Sequence, residues 1–211
     1  MSQYFGMVKC IDDNLGRIFA ALKESGKLDS TIIMMTSDHG DLCYEHDRLN
    51  KGNPYEGSAR VPMLIRFPKR IPAGQTYTHP MGTVDVTPTL LGLAGIETDH
   101  EFEGRNLTGQ FVGNGAGEGG QMTFLRNSGT NPQWVCAVDE RYKLVLSVND
   151  QPWLFDAEQD PDELLNFYRR PGSAVVTQRL AKALQQYGAE RGDAHLQHPA
   201  IVASLEKCLS Q

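Results

Sequence analysis

The run TIIMMT, Thr31 to Thr36, constrains this chain more than any other stretch. It is short, apolar, partly β-branched and flanked by polar residues, which reads as a buried strand. Upstream, Tyr4, Phe5, Val8, Ile11, Leu15, Ile18, Phe19 and Leu22 recur at three- and four-residue spacing, the signature of one helix face ending near Gly26. Such a face requires a sheet or other helices to cover it. Helix followed by strand suggests an α/β unit. VPMLIRF, Val61 to Phe67, reads as a second strand, closed by the turn-rich PKRIPAG. A short apolar helix, VTPTLLGLAG, follows, with Asp85 at its N-cap, Pro88 in its first turn and Gly95 near its end.

Composition changes near Glu97. From there to Gly120 the chain is rich in Gly, Asn and acids, so residues 97–120 are expected to be a flexible connection between a part at 1–96 and a part at 121–211. In the latter, QMTFLRN, QWVCAVDE, RYKLVLSV and PWLFD are short β-type segments separated by turn signals, as in a small antiparallel sheet. A last helix is expected over about Ser173 to Arg191, with Val176, Leu180, Leu184 and Tyr187 on one face. The first part shows two strands, where a doubly wound sheet has about five or six. The chain therefore reads as the second half of something larger.

The net charge of −6 is modest and the basic residues are scattered, which argues against a nucleic-acid partner and for a small or sugar-like substrate. No apolar stretch approaches the roughly 18 residues that span a bilayer, so no membrane segment is expected. Cys10, Cys43, Cys136 and Cys208 form no CxxC pair, which gives neither a disulfide scaffold nor a zinc ribbon.

Chemistry-bearing residues concentrate directly after TIIMMT, in TSDHGDLCYEHDRLNKGNPYEGSAR, Thr36 to Arg60. Open α/β sheets place ligands at the carboxyl ends of strands, where Asp38 and His39 stand. Both are metal-ligand types, and Gly40 permits the turn that would let neighbours reach one ion. The alternative is an ordinary turn, with Asp38 capping it and His39 bonded to backbone. A zinc site from Asp38, His39, Cys43 and His46 can be imagined, but its spacing fits no standard pattern, and Cys43 reads better as a small buried residue. Lys51, between Asn50 and Gly52, presents an ammonium suited to an anionic substrate group, or else a solvated surface lysine. Glu56 and Arg60 stand four apart and would pair across a helical turn as scaffold. His195 and His198 read as surface residues; His79 and His100 stay unassigned.

TIIMMTSDHGDLCYEHDRLNKGNPYEGSARVPMLIRFPKRIPAG, VDVTPTLLGLAGI, RYKLVL and LFDAEQDPDELLN, in that order from about Tyr4 to Tyr187, resemble the C-terminal half of the type I sulfatases. These belong to the alkaline-phosphatase-like superfamily. The resemblance implies an α/β fold, the C-terminal part of an alkaline-phosphatase-like sheet-and-helix core, with a small antiparallel β subdomain packed with a C-terminal helix. It implies hydrolysis of a sulfate ester at a calcium-bound formylglycine, whose aldehyde hydrate attacks sulfur. Asp38 and His39 fall on metal ligands, for Ca2+ ahead of Mg2+ or Zn2+. Lys51 falls on the lysine that contacts a sulfate oxygen, and His46 lies in a loop on the substrate side.

One departure bears on activity. The nucleophile motif, Cys or Ser followed by x-Pro-x-Arg or x-Ala-x-Arg, follows none of the four cysteines. Formylglycine is thus expected only in a missing N-terminal half, which becomes an expected partner alongside the sulfate ester, and this chain alone is expected to be inactive. Any export signal would precede Met1, so the compartment stays unassigned. Apolar surface left uncovered favours self-association. The nearest alternatives are a phosphodiesterase or phosphonate hydrolase of the same superfamily, or a non-catalytic interaction module.

Overall fold

A computed structural model describes residues 2–113 and 122–211. Along the chain its helices and strands are α1 (Ser2–Glu24), β1 (Ile33–Thr36), α2 (Glu56–Ala59), β2 (Met63–Arg66), α3 (Val86–Ala94), α4 (Thr108–Val112), β3 (Thr123–Arg126), β4 (Trp134–Val138), β5 (Tyr142–Ser147), β6 (Trp153–Asp156), α5 (Ala174–Arg191) and α6 (Pro199–Leu209). They fall into two compact units. One holds the residues up to Ser37, Pro62–Tyr77 and the chain from Val84 through α4; the other holds Asp38–Val61, Thr78–Thr83 and everything from β3 onward.

In the first unit the expected helix forms, but none of its residues is buried. Phe5 is 62% exposed, Ile11 59% and Ile18 56%, so the apolar face read from the sequence exists without a cover. The strand read as buried is a correction. β1 pairs antiparallel with β2 in a sheet of two, and its residues run from half-buried to exposed. Two strands of four residues cannot enclose each other's side chains.

Asp85 is where the sequence reading placed it, but its side chain has another partner. It stands at the N-cap position of α3, yet its side chain makes no cap bond. It is 2% exposed, accepts from the Arg105 backbone N–H at 2.7 Å, and pairs with the Arg105 guanidinium at 2.7 Å. A buried carboxylate is better served by a two-pronged guanidinium than by one helix-end amide. Gly95 closes α3 in the left-handed conformation, as its place in the sequence suggested. In the stretch expected to be a flexible connection, α4 is helical and Leu107 is 2% exposed; residues 114–120 lie outside the described residues.

The second unit is built on a four-stranded antiparallel sheet in the order β3-β4-β5-β6, with Cys136 opposite Val145 and Leu144 opposite Leu154. Side chains alternate across its two faces. Val135, Ala137, Leu144, Leu146 and Leu154 pack with Leu180, Ala181 and Leu184 of α5 and with Ile201, Leu205 and Cys208 of α6. Cys136, Val145 and Phe155 face the other way and pack with Tyr55 and Trp153.

α6 was not foreseen from the sequence, although Ile201, Leu205 and Cys208 have helical spacing and Pro199 opens it. His198 caps it, its Nδ1 accepting from the Ala200 N–H at 3.3 Å. His195, read as a surface residue, is 2% exposed in the turn before α6. That turn must enter the core to seat Leu196 and α6, and His195 goes with it.

Candidate active site

The polar stretch Asp38–Val61 belongs to the unit that contains the antiparallel sheet. Leu42, fully buried, is its apolar anchor. Around it the backbone closes on itself: the Leu42 N–H donates to the Asn50 carbonyl at 2.9 Å, Tyr44 to Arg48 at 2.9 Å and Glu45 to Leu42 at 2.7 Å. Cys43, Tyr44, His46, Asp47 and Asn50 all take positive φ, from 46° to 81°. Each such residue costs about 1 kcal/mol or more, so the loop holds a shape its residues would not choose alone.

Two glycines permit the fold of this loop. The Gly40 N–H donates to the Ser58 carbonyl at 2.9 Å, and a Cβ at Gly40 would overlap the Gly57 carbonyl oxygen. A Cβ at Gly57 would in turn overlap the Glu45 carboxylate. The Asp38–Gly40 turn therefore lies directly on the Gly57–Ser58 backbone.

At that turn His39 Nδ1 lies 2.8 Å from its neighbour's carbonyl, Gly40 O. With the Nδ1–H given to that oxygen, Nε2 is the basic nitrogen of the neutral ring. Nε2 stands 3.3 Å from Asp38 Oδ2, and the Asp38 side chain is 83% exposed. Two donors each about 2.3 Å from one ion, at a right angle, would stand about 3.3 Å apart. That spacing suits two ligands of one divalent cation, and equally an imidazole–carboxylate contact within the turn.

The four-residue zinc arrangement does not assemble: among the described residues no group of three or more His, Cys, Asp or Glu is gathered as a metal site. Cys43 is half-buried, and desolvation, with Asp41 bonded beside it, pushes its thiol up from the ordinary value. Asp41 is held below the usual carboxylate range, first by the Cys43 N–H that it accepts at 2.9 Å.

Lys51 is exposed, on a backbone fixed just beyond it. The Gly52 N–H donates to Ser58 Oγ at 3.1 Å, and the Gly52 carbonyl accepts from Trp134 Nε1 at 3.0 Å. His46 stacks on Tyr55 with ring centroids 3.7 Å apart, and Tyr55 stacks on Trp153 at 5.7 Å.

Glu56 opens α2 but its carboxylate does not pair with Arg60. It meets the ammonium of Lys143, which also lies 2.6 Å from Glu163 and 2.8 Å from the Pro54 carbonyl. Lys143, the single charge within β5, YKLVLS, was the readable signal that sequence reasoning passed over. Burial opposes its charge, but Glu56 and Glu163 together raise its pKa above the ordinary lysine value, so it stays an ammonium.

Residues 1–96 match the family model described as Sulfatase. The chain is 30% identical over 209 residues to an N-acetylglucosamine-6-O-sulfatase of Bacteroides thetaiotaomicron, covering 88% of this chain and 35% of that protein. Its fold is similar to that of BT4656, solved in complex with its substrate D-glucosamine-2-N,6-O-disulfate: TM-score 0.81, 27% identity, 92% of this chain and 40% of that one. It is also similar to the phosphonate monoester hydrolase of Agrobacterium radiobacter, with TM-score 0.77, 31% identity, and coverage of 89% and 40%. The chain thus spans about a third of the length of the first curated relative it matches.

Proposed function

Because this chain belongs to the type I sulfatases of the alkaline-phosphatase-like superfamily and carries a C-terminal portion of their fold, we propose that residues 36–60 form the metal and sulfate side of a sulfate-ester hydrolase site. The observation that carries the proposal is the Asp38–His39 pair, a carboxylate oxygen and an imidazole nitrogen 3.3 Å apart on a turn that only glycine at position 40 allows.

Asp38 and His39 hold a divalent cation, Ca2+ ahead of Mg2+ or Zn2+. When bound, the ion supplies Lewis-acid polarisation and charge for the sulfate oxygens. Lys51 adds a compact positive charge, free of neighbouring bulk at Gly52, for an oxygen on which negative charge grows in the transition state. His46 is held flat against Tyr55 and serves the substrate or leaving-group side. A sulfate ester is the substrate class.

The 211 residues alone do not turn over substrate, because none of their cysteines or serines sits in the nucleophile motif. The formylglycine and the rest of the site are supplied by the N-terminal half of the same enzyme. An aryl-sulfate assay of the purified chain tests this: no hydrolysis above a Lys51→Ala control is expected, and turnover above it contradicts the account.

The phosphonate monoester hydrolase likeness favours one second reading, a phosphonate or phosphodiester hydrolase site on the same loop. Metal analysis of the full-length enzyme, with the identity of its nucleophile, separates the two: Ca2+ with formylglycine supports the sulfatase, Zn2+ with threonine or serine the rival.

A further inference from the structure

The residues that hold the Lys51 loop come from the antiparallel sheet. We propose that Lys143 and Trp134 are positioning residues for Lys51, an inference that rests on reading Lys51 as the sulfate contact. Lys51 lies between Asn50, at φ 68°, and Gly52, at φ 89°, so its direction depends on how the chain is fixed through two left-handed turns.

The fixing bonds fall on the main chain just after it. Trp134 Nε1 of β4 donates to Gly52 O at 3.0 Å, and Lys143 Nζ of β5 donates to Pro54 O at 2.8 Å. The Glu56 N–H donates to Glu163 Oε2 at 2.7 Å, while Glu163 Oε1 lies 2.6 Å from Lys143 Nζ. Lys143 and Glu163 side chains are each 5% exposed.

The sheet does not need this ammonium for its own packing. Around it on the same face stand Cys136, Val145 and Phe155, where an apolar side chain would cost no desolvation. The bonds Lys143 makes go instead to the loop and to the carboxylates that hold the loop. A buried polar network that is fully paired fixes one geometry where apolar packing would tolerate several. Lys143 and Trp134 touch no substrate in this scheme; they set where Lys51 starts.

The test uses the intact chain, with amide hydrogen exchange and a sodium sulfate titration read by NMR against sodium chloride at equal ionic strength. Four variants are compared: Trp134→Phe, which removes the indole N–H together with the ring that carries it; Lys143→Met; Lys143→Arg; and Leu144→Ala, on the opposite face. Trp134→Phe and Lys143→Met are expected to raise the local-opening exchange rate at Gly52 and Glu56 about tenfold as a ratio to wild type, the β4 and β5 amides reporting global unfolding separately. They should also weaken the sulfate response at those amides about fivefold, with partial recovery in Lys143→Arg. Leu144→Ala should move neither ratio.

Unchanged ratios in Trp134→Phe and in folded Lys143→Met, or equal changes in Leu144→Ala, overturn the proposal. If Lys143→Met does not fold, Trp134→Phe decides alone. A wild-type chain with no sulfate response, or one that survives Lys51→Ala, defeats the sulfate reading of Lys51, while the exchange ratios still decide whether the sheet holds the loop.

Discussion

Lys143 Nζ lies 2.8 Å from the carbonyl oxygen of Pro54, so a lysine inside a sheet strand holds a backbone 89 residues earlier in the chain. Removing that ammonium leaves the buried Glu163 and its neighbour Glu56 without their shared partner. Lys143→Met is expected to cost about 3–5 kcal/mol in urea unfolding, the range for a buried pair broken on one side. Lys143→Met with Glu163→Gln should recover part of it. A loss below about 1 kcal/mol would show that the node is not paired in solution.

Gly40→Ala should be more harmful than Gly52→Ala. The first places a methyl group into the Gly57 carbonyl, the second into open space at φ 89°. Overpacking against backbone costs about 1–3 kcal/mol and moves the Asp38–His39 turn, whereas left-handed strain alone costs about 1 kcal/mol. Denaturation midpoints of the two variants give the order, and equal values would contradict it.

His195 links stability to mild acid. Burial first, then the Arg126 charge, pull its pKa below the ordinary histidine value, against the pull of Asp193. With a folded pKa below the unfolded value, unfolding takes up a proton. Stability is therefore full above the unfolded value of about 6.5 and declines as pH falls from there through the folded pKa. His195→Phe should flatten the unfolding free energy between about pH 7 and pH 5. An unchanged slope in the variant would assign the dependence to other groups.

The uncovered face of α1 is expected to make the purified chain associate. Tyr4, Phe5, Val8, Ile11 and Ile18 are between 41% and 62% exposed. Sedimentation should show concentration-dependent oligomers, reduced by Ile11→Glu. A monodisperse monomer at all concentrations would contradict this.

The antiparallel sheet was legible because β-type residues and turn signals recur along it, and the last long helix because Leu180 and Leu184 mark its face. The stretch proposed as the site stood out because ligand-type residues follow a strand beside glycine. What stayed hidden depended on partners distant in sequence. Asp85 looks like a helix cap until Arg105 is seen beside it. Glu56 looks like the partner of Arg60 until Lys143 arrives from β5. His195 looks like a polar surface residue because nothing local says that its turn is drawn inward by Leu196 and α6.

The central claim is that Asp38 and His39 are ligands of one divalent cation. A Ca2+ titration of the chain, followed at the Asp38, His39 and Gly40 amides by NMR, tests it most directly. The account predicts a saturable response with a dissociation constant on the order of 1 mM, as suits a site with part of its ligand set, and its loss in the Asp38→Ala/His39→Ala variant. No response at these amides, or one that persists in the double variant, would contradict it.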